Sequence, residues 1–353
     1  MADLVVAGAG MAGLVTAARA RELGAEPLVL EKLERAGGSL RLSSGVVWRH
    51  RDFERFREDC PGGDARLQRL VFDRLDEGVR WLESLGAPVK ERETGNPLTT
   101  GVRFSPGGLA AALFEAAGEV RFGEPLRAPP HDATPLVLAT GGFQANRDLL
   151  RRHVTVQADE LVLRAAPGST GDGLRIGLAA GAEASAGMDQ FYGRNMPAPP
   201  ARVREQDFVR LAQLYARHAE VSSVDGERYE ARSWSEVDVV QWTARRPGAR
   251  AWFRVRERDL GEIVRDRTVG EMVEAAASAG APVRREPGAV SVETVAAVTA
   301  TLGGLRVNDR AQAAPGVFAC GGDVGGISTG GWSSGLGAAL VLGRVAAESA
   351  LGA

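Results

Sequence analysis

Lysine is nearly absent from this sequence. Lys32 and Lys90 are the only two, so arginine carries almost all of the positive charge. A bias of charge sign is absent too: the formal net charge is −2. That excludes a general attraction to nucleic acid or to an anionic membrane. Cysteine is scarce, and Cys60 and Cys320 offer neither a disulfide framework nor a metal-ligand spacing. A reducing cytoplasm is the expected setting. No apolar run reaches the roughly 18–20 residues that span a bilayer. An apolar strand opens near residue 3, so no signal peptide is expected before it.

Glycine is what the chain has in quantity, with 45 residues. "DLVVAGAGMAGLVTAARARELGAEPLVLEK", residues 3–32, reads as strand, glycine turn, helix and strand. Leu4–Ala7 is a buried strand, 11–23 has helical spacing, and 26–31 is a second strand. Gly24 sits where a helix C-cap belongs. Residues 66–85 put Leu67, Leu70, Val71, Leu75, Val79, Leu82 and Leu85 on one face, an amphipathic helix. "PLVLATGG", 135–142, is a short buried strand ending in paired glycines. "AAPGSTGDG", 165–173, is a loop that leads into a helix over 173–181. From about 185 to 292 charge and aromatics rise, with Tyr229, Trp234, Trp242, Trp252 and Phe253. A core-like pattern resumes at "GGLRVNDRAQAAPGVFACGGDVGG", 303–326, and a last helix is expected over 335–351. The predicted domains are therefore a discontinuous nucleotide domain, 1–184 and 293–353, and an inserted one, 185–292. The "PAPPAR" run at 197–202 reads as a hinge or linker.

Gly8, Gly10 and Gly13 form GxGxxG inside a complete strand–turn–helix unit, and Glu31 closes the second strand. The first glycine makes the turn, the second admits a pyrophosphate, and the third lets helix and sheet pack closely. With Ala9, Met11 and Ala12 they form a helix N-terminus that suits phosphates. Glu31, followed by Lys32, would accept from the ribose hydroxyls. A second loop, "AGGSLRLSSG", follows directly. Nicotinamide enzymes do not usually need it, whereas FAD runs on past the first strand. Gly37, Gly38 and Ser39 would bind the pyrophosphate and ribityl chain. Ser43, Ser44 and Gly45 would lie against the isoalloxazine.

"VVAGAGMAGL", "LEK", "AGGSLRLSSG", "LATGGFQANRDLL", "STGDGLRIGLAAGA", "VDGERYE", "GGLRVNDRAQAAPGVFACGGDVGG" and "GLGAALVLGRVAAESAL" follow in that order. In this the chain resembles the FAD-binding flavoproteins of the fumarate reductase and succinate dehydrogenase family, which includes 3-ketosteroid Δ1-dehydrogenases and tricarballylate dehydrogenase-like proteins. The resemblance covers nearly the whole chain. It implies an α/β fold: a glutathione-reductase-type, Rossmann-like FAD domain with an inserted, smaller α+β capping domain. It implies that Ala139, Thr140, Gly141 and Gly142 pass the adenine–ribose half, and that Thr170, Gly171, Asp172 and Gly173 touch the cofactor. Gly322 and Asp323 match the acid segment that holds the ribityl hydroxyls, although relatives more often read Gly-Glu there. No histidine stands near Ser39–Ser44, so FAD is expected to be non-covalent. "GGISTGGWSSGLG", 325–337, would cross the flavin and deliver Ser334, Gly335 and Leu336 to its N1–C2=O edge.

The same resemblance exposes an absence. Fumarate reductases carry a His-Gly-x-Asn-Arg segment where this chain has "GISTGGW". Steroid dehydrogenases place a tyrosine where Ser328 and Thr329 precede Gly330 and Gly331. The helical part of the cap is shortened, which points to a larger or neutral substrate. In "MDQFYGRNMP", Tyr192 and Arg194 are the candidate catalytic residues, as acid or clamp; a domain-junction anchor is the alternative. Ser328, Thr329 and Trp332 are candidate pocket residues, and Trp332 alternatively covers the ring. His50 is a further candidate lining residue. Arg254, Arg256 and Arg258 read as a solvated face, His131, His153 and His218 as surface residues, and Cys320 as a buried structural thiol. The expected activity is FAD-dependent hydride transfer at a C–C bond next to a carbonyl or carboxyl group, with desaturation favoured over reduction. The partners are a small-molecule substrate and an unidentified electron acceptor, with no nucleic acid and no membrane span. A flavin-binding scaffold without catalysis and an oxygen-using flavin enzyme are the alternatives.

Overall fold

The computed structural model describes residues 2–130, 134–230, 233 and 235–353. His131 and Trp234 lie outside the described residues. The chain divides into two compact units. The first comprises 1–146, 165–190 and 300–353; the second comprises 147–164 and 191–299.

The first unit is built on a six-stranded sheet. Its order is Gln312–Ala314, Val317–Ala319, Leu136–Leu138, Leu4–Ala7, Pro27–Glu31, Val120–Phe122. All neighbours are parallel except the first pair, which is an antiparallel hairpin. Leu4–Ala7 and Leu136–Leu138 are buried on both faces, as continuous apolar runs in a parallel sheet must be. The helix Met11–Glu22 is buried along nearly its whole length, because the helix Gly335–Ala350 and the helix Pro106–Ala117 pack against it. Thr16 pins the first of these contacts, donating to Gly343 O at 3.1 Å. The helix Ala65–Ser84 buries the predicted stripe through Leu67, Val71, Leu75, Val79 and Leu82. Asp64 caps it by accepting from Arg66 N and Leu67 N. A small antiparallel sheet joins Val46–His50, Thr99–Phe104 and Val89–Glu91.

The second unit is centred on the long strand Ala289–Thr301. It pairs with Arg250–Arg256 and Val283–Glu286, and Val162–Leu163 and Phe191–Pro197 also join it. Glu220–Ser223 forms the edge beyond Arg250–Arg256. The core under this sheet includes Met196, Tyr215, Phe253, Met272 and Val292.

These units move the boundaries expected from sequence. Residues 147–164 belong to the second unit, because Val162 and Leu163 pair with Ala297 and Val298 and Thr155 Oγ1 donates to Ala244 O. Residues 185–190 stay with the first, where Leu302 N donates to Gln190 O at 2.9 Å. Residues 293–299 go with the second, since their strand is shared with Arg250–Arg256. The "PAPPAR" run is not a linker. Ala198 is fully buried in the second unit, and its N–H donates to Glu293 O at 3.0 Å.

Candidate functional site

The glycines of the first loop divide by what surrounds them. A Cβ on Gly8 would lie 2.4 Å from Ala139 O, and Gly8 adopts a left-handed φ of +104°. A Cβ on Gly13 would lie 1.9 Å from Gly8 O. Both are demanded by the packing of strand, turn and helix. Gly10 has nothing within 4 Å of its Cβ position. It faces open space, where the motif needs room for a pyrophosphate.

Glu31 is buried and uses both oxygens to organise the loop. Oε2 accepts from Ala9 N at 2.7 Å and Oε1 from Leu33 N at 2.8 Å. Further acceptor capacity remains on each oxygen for a ribose hydroxyl. The second glycine loop lies against the first: Gly37 N donates to Ala9 O at 2.7 Å, and a Cβ on Gly38 would sit 3.4 Å from Gly10 Cα. Ser39 Oγ accepts from Ala166 N at 3.0 Å. Lys32 Nζ reaches Thr170 Oγ1 and Asp172 Oδ2, each at 2.6 Å. Ser43 caps its own turn, accepting from Gly45 N at 3.0 Å, while Ser44 is exposed. Gly45 is required by Phe104, whose carbonyl oxygen lies 2.2 Å from its Cβ position.

Asp323 sits deeper than a surface ligand. It is 1% exposed, and its carboxylate accepts from Thr140 N and, at 3.0 Å, from Thr140 Oγ1. Burial pushes its pKa up to about 6, against the backbone N–H groups of Thr140, Gly141 and Gly142, which favour the charged form. Gly173 permits this placement, since a Cβ there would lie 2.5 Å from the carboxylate. Gly322, in the turn that carries Asp323, packs on Gly141 of the loop after Leu136–Leu138.

The stretch 325–337 ends at a helix N-terminus. Ser334 caps the helix Gly335–Ala350, accepting from Gly337 N at 3.0 Å and from Trp48 N at 3.3 Å. Gly335 is exposed, Leu336 is half-buried, and the first turn holds no acidic residue. Trp332 is half-buried and its ring lies 3.1 Å from the Cβ position of Gly335. Ser328 and Thr329 are both buried. The hydroxyls of Ser328 and Ser333 are 2.8 Å apart, and the Thr329 methyl packs on Gly62.

Tyr192 and Arg194 lie together on the strand Phe191–Pro197 of the second unit. The Arg194 guanidinium covers the Tyr192 ring, 4.6 Å from its centroid. Arg254, Arg256 and Arg258 are paired with Glu220, Glu286 and Asp259 on an outer face. His153 and His218 are half-exposed. Burial raises both Cys60 and Cys320 to about 12, so neither is a reactive thiol.

Sequence reasoning named His50 but missed its pairing with the half-buried Asp59. His50 Nε2 lies 3.1 Å from Asp59 Oδ2, and the ring stacks on Phe56 at 4.9 Å. Burial lowers the His50 pKa despite Asp59. Residues nine apart that meet between a strand and a helix leave no spacing signal. Among the described residues no helix is long and apolar enough to cross a membrane, and no group of His, Cys, Asp and Glu is placed to hold a metal.

A vinyl phenol reductase from Lactiplantibacillus plantarum is 24% identical over 248 residues, covering 56% of this chain and 49% of that protein. The chain thus spans about half the length of this relative. Among solved structures, an open flavocytochrome c3 fumarate reductase is similar with a TM-score of 0.75 at 19% identity, over 99% of this chain and 78% of that one. A 3-ketosteroid Δ1-dehydrogenase from Sterolibacterium denitrificans has a TM-score of 0.73 at 15% identity, over 99% of both chains. A 3-ketosteroid-Δ4-(5α)-dehydrogenase from Rhodococcus jostii has 0.68 at 20% identity, over 99% of this chain and 96% of that one. The pattern described as FAD binding domain matches residues 3–125 and 130–340, nearly the whole chain: the protein belongs to that family, and its cofactor is FAD.

Proposed function

We propose that this chain is an FAD-dependent oxidoreductase that desaturates, or in the reverse sense reduces, a C–C bond next to a carbonyl or carboxyl group. The observation that carries this reading is the N-terminus of the helix Gly335–Ala350, where the Ser334 hydroxyl takes the N–H of Gly337 and the first turn holds no carboxylate. Its first residue is an exposed glycine. Such an end stabilises negative charge brought against it. When bound, FAD supplies N5 as the hydride acceptor or donor. The chain's own residues then hold the cofactor and orient the substrate.

Tyr192 and Arg194 are the proposed substrate contacts. A guanidinium that holds the carbonyl or carboxyl oxygen acidifies the neighbouring C–H, and a phenol can pass the proton. Desaturation is the favoured direction, because 325–337 contains no His or Arg to clamp a small dicarboxylate. The similarity to a vinyl phenol reductase supports the C–C class.

Anaerobic mixing of the purified protein with candidate substrates tests the proposal. The flavin absorbance should bleach with a saturated ketone or acid, and Tyr192→Phe and Arg194→Ala should each lower kcat about 100-fold or more with flavin content unchanged. Full kcat in both variants would remove Tyr192 and Arg194 from the site. A preparation without flavin absorbance would end the redox reading. The same missing clamp favours a second reading, a flavoprotein scaffold; it predicts no bleaching with any substrate.

A further inference from the structure

The second unit holds a group of cations that its own carboxylates do not balance. Arg194 is the most buried of them, with its side chain 7% exposed. Among the described residues its guanidinium makes one hydrogen bond, to the carbonyl of its neighbour Gly193, at 3.0 Å. Its ion-pair partner, Glu236 Oε2, is 3.8 Å away, beyond hydrogen-bond reach. The same oxygen is shared with Arg265 at 3.5 Å. A third guanidinium, Arg164, lies close enough to interact with Tyr192, Arg194 and Arg265. It is held in place by Phe208 O at 3.1 Å and Thr299 Oγ1 at 3.0 Å. Among the described residues, the ion pairs of these three arginines run to Glu236 alone.

The backbone adds a second observation. Arg265 stands at the first position of the two-residue turn between Ile263–Val264 and Arg267–Thr268, with φ +61°. Glycine or asparagine is the usual residue in that conformation. A long cation held there at a conformational cost is the kind of strain found at ligand clamps.

A buried guanidinium with unfilled donors and one loose, shared counter-ion is an incomplete arrangement. A planar carboxylate completes it, because it accepts two parallel N–H bonds from one guanidinium fork and shares a second. We propose that Arg164, Arg194 and Arg265 form the binding site for a carboxylate group of the substrate, with Glu236 as the resident ion that competes for it. The proposal rests on the reading of Tyr192 and Arg194 as substrate contacts, and it makes that substrate an anion. The shortened cap pointed instead to a larger or neutral molecule.

Benzoate and benzamide, nearly identical in shape, are the probes. Each is titrated calorimetrically into the purified full-length flavoprotein at low and at high salt. Benzoate should bind about tenfold or more tighter than benzamide, and the difference should shrink with salt. Arg265→Ala, at a largely exposed side chain, should weaken benzoate roughly threefold to fivefold without loss of FAD. Glu236→Gln should tighten it, since the competing carboxylate is gone; a purely structural Glu236 would not give that sign. Equal binding of the two probes, no benzoate binding, or weaker binding in Glu236→Gln would overturn the site. Discrimination between the probes in a flavoprotein that no candidate substrate bleaches would refute the redox reading and retain the anion site.

Discussion

Gly10 and Gly13 belong to one motif but fail in different ways when a methyl is added. At Gly13 the new Cβ meets the carbonyl oxygen of Gly8 at 1.9 Å, a backbone atom that cannot yield cheaply. Gly13→Ala should therefore lower the melting temperature of the flavin-free protein and abolish FAD binding. At Gly10 the methyl enters open space. Gly10→Ala should leave the flavin-free melting temperature unchanged and still lose FAD, as read from the ratio of visible to ultraviolet absorbance. Equal retention of FAD by Gly10→Ala and the parent would contradict the assignment of that space to the pyrophosphate. Asp323 gives a pH signature. Its carboxyl titrates near 3.8 when unfolded and near 6 when folded. Between those values the folded state binds more protons, so its contribution to stability rises as pH falls and is lost as pH climbs through 6. The full difference is worth about 3 kcal/mol. In urea unfolding of flavin-free protein, the parent should gain stability relative to Asp323→Asn from about pH 7 to about pH 4. A difference that stays flat over that range would show that the buried carboxylate is not destabilised.

The capped helix Gly335–Ala350 is the element on which the proposed function turns. Ser334→Ala removes the acceptor for Gly337 N and Trp48 N and should cost about 1 kcal/mol of stability. Ser334→Asp should keep the cap and place a carboxylate at the helix start. It should leave the melting temperature near the parent value and lower the reduction potential of bound FAD, measured by dye equilibration. An unchanged potential would detach this helix from the flavin. Elements of this kind were legible in the sequence because their causes are local. Strand, glycine turn and helix at 4–22 follow from an apolar run, a GxGxxG and a helical period. The alanine-rich run after "GGISTGGWSS" reads directly as a helix over 335–351, although the cap that Ser334 provides was not read from it. The Asp323 cage, the His50–Asp59 pair and the arginines around Glu236 were not legible. Each joins residues from separate strands, turns and helices, and the burial that sets their chemistry has no footprint in spacing. The proline run at 197–202 misled for the related reason that composition does not report which side of a boundary a strand pairs on.

At the scale of the whole molecule, the residues assigned to FAD all fall in the first unit. Ligand binding stabilises only what binds it, by about 4 kcal/mol at a thousandfold excess over Kd. Scanning calorimetry of the flavin-free protein should therefore move the transition of 1–146, 165–190 and 300–353 downward and leave that of 147–164 and 191–299 in place. A single transition that shifts as one would show that the two units unfold together. The strand Ala289–Thr301 gives the division a practical meaning. It takes partners from both segments of the second unit, including Val162–Leu163 far upstream. Anyone transplanting this unit between relatives to change substrate scope must therefore make four cuts, near 146, 164 and 190 and just past Thr301, where the strand ends. A chimaera cut only at 185 and 292 would tear the shared strand and strip it of its parallel neighbour, leaving an unpaired edge open to aggregation.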